Sequence, residues 1–91
     1  MAYADRDLCA KDARHRGATV DLDLQRAELS DVLRLLTDVG HTNLVVGDNV
    51  EGTVTLRLKR VPWEAALCTI AAVHHLAVTV QDTIILVRKA D

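Results

Sequence analysis

The sequence predicts an α+β domain in which two helices pack with small mixed β-sheets, in the order β-α-β-β-α-β-β. Three observations predict it. Apolar and polar residues alternate from Val20 to Gln25 and again from Thr53 to Leu58, the two-residue period of a half-buried strand. Apolar residues recur at spacings of three and four across 28–39 and 62–74, the stripe of an amphipathic helix. Turn-forming residues separate these stretches throughout a chain of 91 residues, which has room for one modest core.

Residues 1–17 carry mixed charge (Asp5, Arg6, Asp7, Lys11, Asp12, Arg14, Arg16) and read as a flexible leader or linker, or a frayed helix, ending at Gly17. The domain proper spans 18–89. In its first strand Val20, Leu22 and Leu24 point one way, Asp21, Asp23 and Gln25 the other.

A helix follows over about 28–39, with Leu29, Val32, Leu33, Leu36 and Val39 as its stripe. Glu28 and Asp31 suit the positive end of its dipole, and Gly40 sits where a C′ glycine is expected. Asn43–Val46 is a short apolar strand, and 47–52 a loop by composition.

The next strand, Thr53–Leu58, turns Val54, Leu56 and Leu58 inward and closes at Lys59-Arg60. Pro62 opens the second helix at its first-turn position, where a missing N–H costs nothing. Glu64 complements the dipole, and Ala66, Leu67, Ile70, Ala71 and His74 form the stripe. Ala77–Val80 and Thr83–Val87 read as two strands turned around Gln81-Asp82. No internal repeat or low-complexity segment is evident. The predicted structural core is Leu33, Leu36, Leu56, Leu58, Val61, Pro62, Trp63, Leu67 and Ile70, with Trp63 favoured as a core cap over an exposed contact.

Composition excludes several classes. A net charge of −2 supplies no field to recruit nucleic acid or an anionic membrane. The apolar runs fall far short of the ~20 residues a membrane helix needs, so no direct membrane insertion is expected. The charged N-terminus has no apolar stretch to act as a signal peptide; if the parent is exported, its signal has been removed.

Gly47 and Gly52 have the Walker-A separation, but Thr53-Val54 follow where Lys and Ser or Thr are required, so they read as glycines of a hairpin-like connection. The histidines His15, His41, His74 and His75 lack the four-residue spacing that puts two ligands on one helix face. No metal, cofactor or catalytic residue is expected, because no nucleophile has a base partner and the paired carboxylates lie on exposed faces. Acidic Asp48 and Glu51 in the loop and the scarcity of aromatics argue against RNA. Cys9 and Cys68 share no redox or metal spacing; a disulfide is open to them, but the preferred reading is a buried small hydrophobe at Cys68 and a thiol in a polar leader at Cys9.

The stretch Leu22–Val87 resembles the short N-terminal domain shared by secretins and TonB-dependent receptors. The resemblance is carried by Asp23-Leu24-Gln25-Arg26-Ala27-Glu28-Leu29, by Val32-Leu33-Arg34-Leu35-Leu36, and by Asn43-Leu44-Val45-Val46. Its most specific part is 48–58 followed by Val61-Pro62-Trp63-Glu64-Ala65-Ala66-Leu67, a form that looks like secretins, particularly those of type IV pili. One departure is His75-Leu76, where the family has glycine and leucine as a left-handed cap.

The resemblance implies a periplasmic, non-catalytic interaction domain of an outer-membrane protein, part of a longer chain. Its implied partners are an inner-membrane-anchored protein of a pilus or secretion machinery and neighbouring secretin subunits. The alternative is the signalling domain of a TonB-dependent receptor, binding an anti-sigma regulator. Recognition would use a strand edge, and the candidate partner-binding residues are Val20, Asp21, Leu22 and Asp23.

Overall fold

A computed structural model describes residues 6–10 and 17–90. These form β1 (Arg6–Asp7), β2 (Thr19–Glu28), α1 (Leu29–Val39), β3 (Asn43–Val46), β4 (Thr53–Pro62), α2 (Trp63–His74), β5 (Leu76–Gln81) and β6 (Ile84–Lys89). The predicted α+β class and element order are observed, with β1 in addition. Of the expected leader 1–17, residues 1–5 and 11–16, His15 among them, lie outside the described residues.

The two alternating stretches pair with each other as an antiparallel ribbon, β2 with β4. Its inner face carries Leu22 and Val54, both buried, flanked by half-buried Val20, Leu24, Leu56 and Leu58. Each strand continues past the expected end because a bulge absorbs one extra residue. On β4 the bulge places Arg60 at φ 55, its N–H donating to Asp21 Oδ1 at 2.8 Å. On β2 it places Arg26 at φ 51, its N–H donating to Thr55 Oγ1 at 3.0 Å.

Each ribbon strand runs directly into a helix. Neither helix has a side-chain cap; a carbonyl from the opposite strand's entry takes the first orphan amide instead. Leu29 N–H donates to the Gly52 carbonyl (2.9 Å), and Trp63 N–H to that of Ala18 (3.0 Å). Gly52 does so at φ 137, a conformation that favours glycine. Pro62 is the last residue of β4 and the N-cap of α2, one position before the expected first turn.

Both helices end on a histidine in the left-handed conformation. At the end of α1 the left-handed residue is His41 (φ 54), not Gly40, which is right-handed at φ −81. His41 N–H donates to Asp38 and Thr42 N–H to the Thr37 carbonyl, the two bonds of a Schellman motif. Buried Thr37 is satisfied by its own hydroxyl donating to Leu33 and Arg34 carbonyls. At the end of α2, His75 takes φ 56, ψ 51, in the place where the resemblance leads one to expect glycine.

The helices lie between the ribbon and a four-stranded sheet of order β1-β5-β6-β3. β5 and β6 form a hairpin turned at Asp82-Thr83, one residue later than expected, with Asp82 at φ 58. β3 joins β6 in parallel. The loop 47–52 therefore links two different sheets and is not a hairpin connection. The core combines Leu29, Val32, Leu33 and Leu36 of α1 with Trp63, Ala66, Leu67, Ile70 and Ala71 of α2 and Val78, Val80, Ile85 and Val87 of the sheet. His74, expected on the α2 stripe, is half-buried, and Ala72 is exposed.

β1 corrects the reading of the leader. Arg6 pairs with Val80 and Asp7 with Thr79, and Leu8 N–H donates to the Val78 carbonyl at 3.1 Å. Leu8 and Cys9 pack against the core, and Cys9 is disulfide-bonded to Cys68 of α2 across a sequence separation of 59. The preferred reading of two free cysteines does not hold. A thiol in a polar leader and one on a helix meet because β1 pairs along the edge of β5 and so brings Cys9 to α2.

The fold also contains an internal repeat that the sequence reading missed. Thr19-Val20-x-Leu22-x-Leu24-x-Arg26 recurs as Thr53-Val54-x-Leu56-x-Leu58-x-Arg60, each residue mapping onto the one 34 positions later. The same step carries bulge onto bulge (Arg26, Arg60), helix start onto helix start (Leu29, Trp63), and left-handed cap onto left-handed cap (His41, His75). The ribbon's register obeys it too: Val20 opposite Val61 becomes Val54 opposite Ala27, and Leu22 opposite Leu58 becomes Leu56 opposite Leu24. Asp23 opposite Arg57 maps onto itself, so that pair marks a pseudo-two-fold axis relating β2-α1-β3 to β4-α2-β5.

Candidate recognition edges

The residues expected to bind a partner are used within the fold to different degrees. Leu22 is in the core, and half-buried Val20 packs against it opposite Val61. Asp21 accepts the Arg60 amide that the bulge turns toward it. Only Asp23 is both exposed and without such a task, lying across the strand from Arg57. What β2 offers a partner is therefore its outer backbone edge and Asp23, not a row of four side chains.

Of the expected core residues, Leu33, Leu36, Trp63, Leu67 and Ile70 are buried, and Leu56, Leu58, Val61 and Pro62 are half-buried. Trp63 caps the core between two glycines. A β-carbon at Gly17 would collide with the indole at Nε1 and Cδ1, and one at Gly40 with its six-membered ring at Cε2 and Cζ2. Glu64, expected only to favour the helix dipole, accepts the Gly17 N–H on both carboxylate oxygens, at 3.0 and 3.2 Å. These contacts fasten the entry to β2 onto the start of α2.

Among the described residues two kinds of surface bear on function. The first is an open cleft of about 430 Å³ between the end of α2 and the β3–β4 loop, lined by Glu51, Val73, His74, His75 and Lys89 among others. It lacks the enclosing walls that bury a small molecule. Among the described residues no three His, Cys, Asp or Glu side chains are placed to hold a metal ion.

The second kind is strand edge. Among the described residues β2 and β4 each have one free edge, and β1 and β3 end the larger sheet. An unpaired edge presents N–H and C=O groups to any extended chain. Edge location follows from topology, which is why the sequence pointed to β2 alone.

Two helices held between a bulged two-stranded ribbon and a mixed four-stranded sheet define a class of small αβ domain with open strand edges among the described residues. By its likeness to PilQ secretins, the chain is a domain of the secretin N-terminal type. No protein-family model matches it. It is 35% identical over its whole length to the fimbrial assembly protein PilQ of Pseudomonas aeruginosa, covering 13% of that protein. It is 33% identical over 82% of its length to the type IV pilus biogenesis and competence protein PilQ of Neisseria meningitidis, covering 10% of that protein. The chain thus spans about a tenth of the curated relatives it matches.

Among solved structures, the chain superposes on the type IV competence pilus secretin PilQ of V. cholerae with TM-score 0.65 and 38% identity, over 75% of this chain and 16% of that one. It shares its fold with the N0 domain of the type II secretin from enterotoxigenic Escherichia coli, at TM-score 0.71 and 15% identity, over 80% of this chain and 96% of that one.

Proposed function

We propose that this chain is the periplasmic recognition domain of an outer-membrane secretin serving a type IV pilus or a related secretion machinery. In that role it docks to an inner-membrane-anchored component and lies beside copies of itself in the assembled ring. It performs no chemistry; affinity comes from main-chain pairing at a strand edge and selectivity from the side chains beside it. The observation that carries this reading is the 35% identity to a PilQ protein along the whole chain. The absence of a helix long and apolar enough to cross a membrane, among the described residues, accords with a domain that stands clear of the bilayer.

The parent gene tests the reading directly. Further small αβ domains followed by a β-rich pore domain after Asp91 support it; a plug and a large receptor barrel contradict it. The isolated domain is expected to sediment as a monomer at micromolar concentration, since ring assembly is assigned to downstream channel domains. A stable multimer would contradict that assignment.

A further inference from the structure

The pseudo-two-fold relates β3 to β5, so the outer edges of these two strands can be compared position by position. They differ. The β5 edge is filled by the chain itself: β1 runs antiparallel to it, Leu8 donates its N–H to the Val78 carbonyl, and Cys9 is bonded to Cys68 on the adjoining helix. The β3 edge has no strand on it among the described residues.

Among the described residues nothing protects that edge. Sheet proteins shield exposed edges with lysine, proline, bulges or inward charges. Asn43-Leu44-Val45-Val46 contains none of these and keeps unbroken register with β6 along all four residues. Asn43 and Gly47 donate their amides toward β6, so the alternating amides of Leu44 and Val46 point outward.

The side chains around the two edges differ in kind. Thr69 and Thr79, in the filled half, correspond to Leu35 and Val45, which are 45% and 49% exposed. Cys68, which grips the residue after Leu8, corresponds to exposed Arg34.

We propose that the outer edge of β3 is a docking site for an extended segment of the inner-membrane-anchored partner. The segment lies antiparallel to β3, as β1 lies along β5. It carries an aliphatic residue in the seat of Leu8, with its N–H on the Leu44 carbonyl, and an acidic residue in the seat of Cys9, facing Arg34. Val45 and Leu35 supply apolar contact on either side of it. The identity of the partner rests on the functional reading above; the site and the chemistry of its occupant do not.

The test is a titration of the 91-residue chain, followed by backbone amide resonances. The probe is a synthetic peptide of residues 4–10 carrying Cys9→Asp, raised to concentrations on the order of 1 mM. The site predicts saturable shifts and slowed solvent exchange at Leu44 and Val46. Arg34→Glu is expected to weaken binding at least about tenfold, and a peptide carrying Cys9→Lys to restore it on that variant, as charge-pair specificity requires. Val45→Asp should abolish the shifts. No saturable shift at any concentration overturns the site. Shifts confined to Val20–Asp23 also overturn it, while leaving partner recognition by a strand edge intact. Because the probe is synthetic, binding at β3 together with a parent gene lacking a pore domain would sink the functional reading alone.

Discussion

Gly40, which ends α1, lies with its Cα against the six-membered ring of Trp63, the first residue of α2. A β-carbon at position 40 would come 2.9 Å from Trp63 Cδ2 and closer still to Cε2 and Cζ2. The backbone there is right-handed, open to any residue. Glycine is needed for the approach of the indole, not for the turn, and the next residue, His41, makes the left-handed cap in its stead.

Gly40→Ala should therefore act chiefly by overpacking, which outweighs a gain of about 0.4–1 kcal/mol from a stiffer unfolded chain. The expected loss is about 1–3 kcal/mol. In thermal denaturation that lowers Tm by about 4–8 °C for each kcal/mol. A Tm equal to that of the unsubstituted chain would show that the indole can move aside.

Gly52 is constrained differently. Its φ of 137 aims its carbonyl at the first amide of α1, and the space around it is ordinary. Gly52→Ala should cost about 1–3 kcal/mol through backbone strain. Urea denaturation reads this as a lower midpoint with an unchanged slope; a midpoint that does not move would mean that the strand entry tolerates the side chain.

His41 and His75 hold left-handed conformations that cost a residue bearing a β-carbon about 1–2 kcal/mol. Glycine relieves that strain but is freer in the unfolded chain. His41→Gly and His75→Gly should each stabilise by about 0.5–1 kcal/mol, and the two gains should add because the sites are separate. Calorimetry of both single variants and the double variant checks this; a loss at either site would show that the imidazole does more than fill the cap.

The Cys9–Cys68 disulfide closes a loop across a separation of 59 residues. Chain-entropy reasoning gives about 4 kcal/mol of stabilisation for such a loop. Reduction should lower the urea midpoint accordingly, and amide exchange should quicken first at Val78 and Val80, the residues of β5 whose backbone groups face β1. Unchanged stability after thiol titration confirms two free cysteines would contradict the pairing.

Much of the fold was legible because strands and helices announce themselves by period: Leu22 and Leu24, or Leu33 and Leu36, can face a core in only one way. The missed features lack a period. A two-residue strand such as Arg6–Asp7 shows no alternation, and its pairing with β5 is set by tertiary contact and by a disulfide. The bulges at Arg26 and Arg60 hid the true length of β2 and β4, since each breaks the alternation one turn before a helix. The repeat was in plain sight as Thr-Val-x-Leu-x-Leu-x-Arg, but its helical halves diverge, Trp63 standing where Leu29 does and Cys68 where Arg34 does. The candidate site was the least legible part, because which strand ends a sheet is a property of topology.

The proposed function has the domain contribute recognition to a secretin and nothing to building its pore. An in-frame deletion of residues 18–89 from the full-length parent, made in its own cell, tests this most directly. The expected outcome is outer-membrane multimers at normal abundance and loss of the surface pili or secreted product. Normal piliation or secretion, or disappearance of the multimers, would contradict it.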